Sequence, residues 1–227
     1  MQRAYNQPPV NPLPPVVWML AAPIVVTEIL FALGRAGLAG AQAVGWRLDM
    51  LGKLGFDPVD FRHMIAVQGW SLTELLTLVS YAFVHLSVTH AVMVAVFILA
   101  LGKFVSEAFA PWAVAAVFLG STVLAALVYA ALPFTQMMLV GGYPGAYGLI
   151  GAFTWILWMR LGRGNPARMR AFSVIGMLAG IQIVFAALFG SRPDWIADFA
   201  GFGAGFVLSF LVAPGGWQAT LNRLRRR

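Results

Sequence analysis

The chain has 227 residues, 60% of them hydrophobic and 10% charged, with a mean hydropathy of +0.82. A soluble domain carries about 25% charged residues, so this composition belongs in a membrane, and the absence of Cys excludes disulfides, thiolate catalysis and cysteine-ligated metals. The net charge of +7 does not point to nucleic acid, because the basic residues gather at RLGRGNPARMR (160–170) and RLRRR (223–227), directly after apolar stretches, as cytoplasmic anchors of membrane helices do. With three His in all and no HExxH, a zinc-protease site is not expected. No metal or cofactor is implied.

The chain opens on a proline-rich tail, residues 1–15, whose prolines at 8, 9, 12, 14 and 15 keep it extended. It has no apolar core or small-residue cleavage site, so it does not read as a cleavable signal. From 16 to 213 follows the membrane domain, with apolar runs near 16–36, 75–101, 111–132, 145–160, 171–190 and 196–213. Five of these meet or approach the ~20 residues that a bilayer core requires. In the fourth, Ala146 to Met159 is 14 residues, about 21 Å of helix. With Arg160 pinning its end to one surface, its other end should start below the opposite surface. Irregular backbone at that depth is tolerated only inside protein or beside a water-filled cavity. Residues 214–227 form a basic cytoplasmic tail.

Placement of Lys and Arg orients the bundle. With the N-terminus in the cytoplasm, that side holds Arg3, Lys103, Arg160, Arg163, Arg168, Arg170, Arg223, Arg225, Arg226 and Arg227; the other holds Arg35, Arg47, Lys53, Arg62 and Arg192. Both termini are therefore expected inside. The outer segment 37–74 interleaves Trp46, Leu48, Leu51, Leu54, Phe56, Phe61 and Met64 with charges, the pattern of a folded structure lying in the interface. No internal repeat is visible, which argues against a transporter.

Three stretches converge: YAFVHLSVTHAVMVAVFILALGKFVSE (81–107), GAYGLIGAF (145–153) and ADFAGFGAGFVLS (197–209). Their order and spacing, the six runs and the long first outer segment together resemble the rhomboid family of intramembrane serine proteases. The resemblance implies an all-α, six-span bundle with a short, submerged fourth helix. It also implies a Ser–His dyad joining the fourth and sixth spans. In that family the second span carries HxxxxHxxxN, the fourth GxSG and the sixth AHxxGxxxG, and a WR pair recurs in the first outer loop. Here His85 and His90 match the two histidines, and Trp46-Arg47 the pair. Gly145 and Gly148 flank the serine position, and Gly201 and Gly205 follow the histidine position. The residues at the Asn, Ser and His positions, however, are Val94, Tyr147 and Asp198.

Serine attack on an amide needs a hydroxyl, a base to take its proton and donors for the oxyanion. A phenol oxygen sits several ångström further from the backbone than a serine oxygen. A carboxylate titrating near 4 is poorly matched to a phenol near 10, and Val94 offers no donor. The expectation is a catalytically inactive rhomboid-like protein. The alternative is an active intramembrane peptidase with non-standard catalytic groups. A channel or transporter has only the buried acids Glu28 and Asp198 in its favour.

Tyr147 and Asp198 are expected to face each other, with the phenol donating to the carboxylate; the competing arrangement turns Tyr147 outward to the interface. His90 either donates into the cavity of the old site or packs as an ordinary buried histidine, and His85 anchors the loop near the outer end. Glu28, inside the first span, calls for a partner contact or an internal hydrogen bond. Gly201 and Gly205 should pack against the small stripe Gly145, Gly148 and Gly151, while Gly176 and Gly180 face lipid or a partner. Lys103 and Glu107 are read as structural. Inactive relatives such as iRhoms and derlins bind membrane proteins, so the resemblance implies membrane lipids and transmembrane helices of other proteins as partners. The role would be assembly or chaperone-like factor, or subunit of a membrane complex, in a bacterial inner membrane.

Overall fold

The computed structural model describes residues 12–162, 165–189 and 192–214. Most of the proline-rich tail, the basic C-terminal tail and Arg163 lie outside the described residues. Among the described residues the chain is almost wholly helical: α1 (Pro15–Arg35), α2 (Trp46–Leu54), α3 (Pro58–Ala66), α4 (Leu72–Ser80), α5 (Val88–Ser106), α6 (Pro111–Ala131), α7 (Tyr143–Leu161), α8 (Ser173–Phe189) and α9 (Trp195–Val212). An isolated antiparallel bridge pairs Phe56 with Leu139. Among the described residues, five stretches are long and apolar enough to cross a membrane: Pro15–Arg35, Val88–Ser106, Pro111–Ala131, Pro166–Val184 and Trp195–Val212.

Helix α7 runs through the middle of the bundle. Every residue from Pro144 to Ala152 is buried, so all faces of its first half are covered, chiefly by α5, α6 and α9. It is not short. Its 19 residues reach about 28 Å at about 1.5 Å each. Hydropathy alone misses the first turn, because Gly142 caps it and Pro144 opens it, residues that start helices without being apolar. At the other end Gly162, at φ 72° and ψ 170°, takes a positive-φ conformation open to glycine, and the helix stops there.

The second apolar run is also re-divided. Residues 75–80 belong to α4, a short helix of the outer segment, and the span proper begins only at Val88, where the Ser87 hydroxyl accepts the His90 N–H at 3.2 Å. This is ordinary N-capping by serine. Helix α1 lies against α5 through Val17, Leu20, Ala21 and Ile24, one stripe at helical spacing.

The segment 37–74 is folded, as its composition suggests. Asp57 caps α3 by accepting from Val59 N–H at 2.8 Å, and Pro58 occupies the first position. The segment is fastened to the bundle by Arg62. Its guanidinium donates to the carbonyls of Ala130 (3.1 Å), Leu132 (3.2 Å) and Thr135 (2.8 Å) and to the Thr135 hydroxyl (3.3 Å). A helix C-terminus leaves carbonyls without partners and carries partial negative charge, so this cation answers both needs at the end of α6.

Candidate functional site

The turn before α7 is built from two glycines that touch side chains of α5 and its approach. Gly141, at φ 100°, donates its N–H to the Tyr81 carbonyl at 2.8 Å, and a Cβ there would run into the His90 ring. Gly142 donates to His85 Nε2 at 3.3 Å, and a Cβ would lie 2.9 Å from Val94 Cγ1. Val94 is therefore a fully buried wall behind the turn.

Tyr147 is 5% exposed and stands edge-on to Phe199, ring centroids 6.2 Å apart. Neither arrangement considered from the sequence occurs: the phenol neither turns outward nor bonds the carboxylate directly. Gln182 of α8 stands between them, its Nε2 donating to Tyr147 Oη at 3.1 Å and to Asp198 Oδ2 at 3.3 Å. The two hydrogens of one amide nitrogen serve both acceptors, so three helices meet at a single side chain. Sequence reasoning missed Gln182. Its only signal is an amide in an otherwise apolar run.

Beside this clasp is a cavity of about 40 Å³ bounded by His90, Tyr143, Pro144, Asp194 and Asp198, enough space for water. None of its lining residues is Ser, Thr, Cys or Lys. His90 stacks on Tyr143 (centroids 5.0 Å apart, 21° between planes) and meets His85 edge-on at 4.9 Å. Its Nε2 is buried with no hydrogen-bond partner among the described residues. Tyr143, which forms that stack, was not singled out from the sequence.

Glu28, Arg47 and His85 come together where α1 and α2 meet the connection that leads into α5. Arg47 grips Glu28 with both guanidinium nitrogens, at 2.9 and 2.6 Å, and also donates to the His85 carbonyl at 2.6 Å. A bidentate pair of this kind is the strong form of the interaction, and it answers Glu28 internally. His85 sits in the connection between α4 and α5. Burial, then the neighbouring His90 and Arg47, push its imidazole from 6.5 down to about 3. It is thus neutral at physiological pH, and Nε2 is free to accept from Gly142. The Trp46 backbone N–H donates to the Ala43 carbonyl, while its indole makes no hydrogen bond or ring contact among the described residues.

The glycines divide between two neighbours. A Cβ on Gly201 would strike the Pro144 carbonyl, and one on Gly205 the Gly148 carbonyl, so α9 lies backbone against backbone on α7. Gly151 faces α9 in return, but Gly145 and Gly148 face Phe118, Thr122 and Ser121 of α6. The expected packing of α9 on this stripe holds at Gly148 and Gly151, while Gly145 turns to α6 alone. Gly176 and Gly180 have nothing within 4 Å of a Cβ position. Among the described residues no group of three or more His, Cys, Asp or Glu is placed to hold a metal ion.

These features define a polytopic helical membrane protein built around a buried central helix. The Rhomboid domain profile matches residues 72–215, more than half of the 227 residues. The chain belongs to the rhomboid family. A comparison with curated proteins returned no match.

Proposed function

We propose that this protein is a rhomboid pseudoprotease whose task is to bind transmembrane segments of other membrane proteins. The observation that carries the reading is the Gln182 clasp. At the positions matched to the family's nucleophile and base stand Tyr147 and Asp198, and both oxygens are engaged by one amide. Val94 supplies packing against Gly142 where the family has an amide donor. Acyl transfer needs a nucleophile beside a base and donors around the developing oxyanion, and this arrangement offers a phenol and an acid joined through a spectator.

Client contact is assigned to α8, which exposes Met177, Ile181, Ile183, Val184 and Leu188 and leaves Gly176 and Gly180 open to close approach by another helix. Glu28 is not assigned to a partner, being held by Arg47. The orientation follows the distribution of Lys and Arg: both termini in the cytoplasm of a bacterial inner membrane, with the Tyr147 end of α7 toward the outer face.

The test is reconstitution of the purified protein with a panel of transmembrane substrates, beside a Tyr147→Phe variant. No cleavage above background is expected from either. Cleavage by the wild type that vanishes in the variant establishes a peptidase with non-standard groups and ends the pseudoprotease reading. Co-purification in mild detergent then tells a fixed complex, which gives one stoichiometric partner, from a chaperone-like factor, which gives a changing set.

A further inference from the structure

Where α1 ends, a cleft of about 500 Å³ opens between α1, α2 and the start of α5, within the range of small-molecule sites. Its lining joins two chemistries. Phe31, Val44, Leu48, Leu86 and Val88 form apolar walls, and Leu48 is 74% exposed. Two guanidinium groups, Arg35 and Arg47, share the same lining, which includes no acidic side chain.

The two cations differ. Arg47 is neutralised by Glu28. Arg35, in the last turn of α1, forms no ion pair among the described residues. The cleft also receives Ser87, Val88 and Thr89, the opening of α5. The first N–H groups of a helix have no partners inside it, and they favour an anion. An uncompensated positive charge at the end of a membrane span, with exposed apolar walls running from it, is complementary to one kind of molecule: an amphiphile with a negative head.

We infer that this cleft is a binding site for an anionic phospholipid, its phosphate between Arg35 and the start of α5 and its acyl chains along the apolar walls. The inference rests on the cleft and its charge, and is independent of whether the protein cleaves peptides.

The experiment is native mass spectrometry of the full-length protein in mild detergent, titrated in parallel with phosphatidylglycerol and phosphatidylcholine. Wild type should retain phosphatidylglycerol and not phosphatidylcholine. Arg35→Gln should lower that retention about fivefold, the effect of one basic side chain at an anionic surface. Leu48→Glu, which places an acid on an exposed wall, should lower it too. Lys53→Gln, an exposed cation of α2 outside the cleft, should leave it unchanged. Equal retention of the two lipids overturns the proposal, as does undiminished retention by Arg35→Gln and Leu48→Glu. Displacement of phosphatidylglycerol by millimolar inorganic phosphate also overturns it, since the site would then hold a free anion and not a lipid.

Discussion

At the scale of single residues, Gln182 is the side chain on which the centre turns. Replacing it by Leu leaves the Asp198 carboxylate and the Tyr147 phenol without the shared donor, and an unsatisfied buried polar group costs about 1–3 kcal/mol, more when charged. Thermal unfolding in detergent should show Gln182→Leu clearly destabilised. Tyr147→Phe should cost less, because the amide still serves the carboxylate. Equal stability of all three proteins would mean the clasp does not form. His85 supplies a pH signature. Its folded value, about 3, lies below the ordinary 6.5, so the unfolded chain binds the proton more readily. Stability is then complete above 6.5 and falls as pH drops toward 3, by at most about 1.4 kcal/mol per pH unit from this one group. His85→Asn should flatten that slope in a pH series of unfolding curves. Tyr147 and Asp198 were legible as a pair because motif spacing puts them on facing helices. Gln182 was not, since nothing in an apolar run fixes which way a helix is rotated about its axis; packing against Ile150, Phe199 and Phe202 does that.

At the scale of elements, four glycines that look alike in sequence behave in opposite ways. Gly201→Ala and Gly205→Ala drive a methyl into backbone carbonyls of α7, which cannot swing aside as a side chain can. Overpacking typically costs about 1–3 kcal/mol and occasionally more, and here the upper end is expected. Gly176→Ala and Gly180→Ala meet nothing and should be neutral or slightly stabilising, as alanine favours helix over glycine by about 1 kcal/mol. Parallel melting curves of the four variants check the contrast; a similar penalty for both pairs would contradict the placement of α8. Small-xxx-small spacing announces that helices can approach closely, and says nothing about which pair has a neighbour. The length of α7 was under-read for a related reason: hydropathy registers apolar side chains, while Gly142 and Pro144 act through backbone geometry.

For the molecule as a whole, the segment 37–74 and the bundle are a single structure. Arg62→Ala removes the four hydrogen bonds from its guanidinium to the end of α6 and should cost about 3 kcal/mol, given that bonds to charged groups contribute about 1.5–3 kcal/mol each, not additively. Limited proteolysis should then cut within 37–74 faster than in wild type. Glu28→Ala and Arg47→Ala each strand a partly buried charge, whereas the double variant strands none. It should therefore be more stable than the sum of the single losses predicts, and strict additivity would argue against the pair. That this segment folds was legible from its alternation of apolar and charged residues. Its fastening was not, because the acceptors for Arg62 lie 68 to 73 residues further along the chain, and only the folded topology makes them neighbours.

From Glu28 a continuous run of polar links passes through Arg47 to the His85 carbonyl, and from the His85 ring to the Gly142 amide at the head of α7. None of these links is a slack loop. A tug on α1 at Glu28 would travel as along a taut cord to the turn that sets where Tyr147 sits. Spin labels on α1 and on the N-terminal end of α7 should accordingly move together, and should drift apart once Arg47 is replaced by Ala.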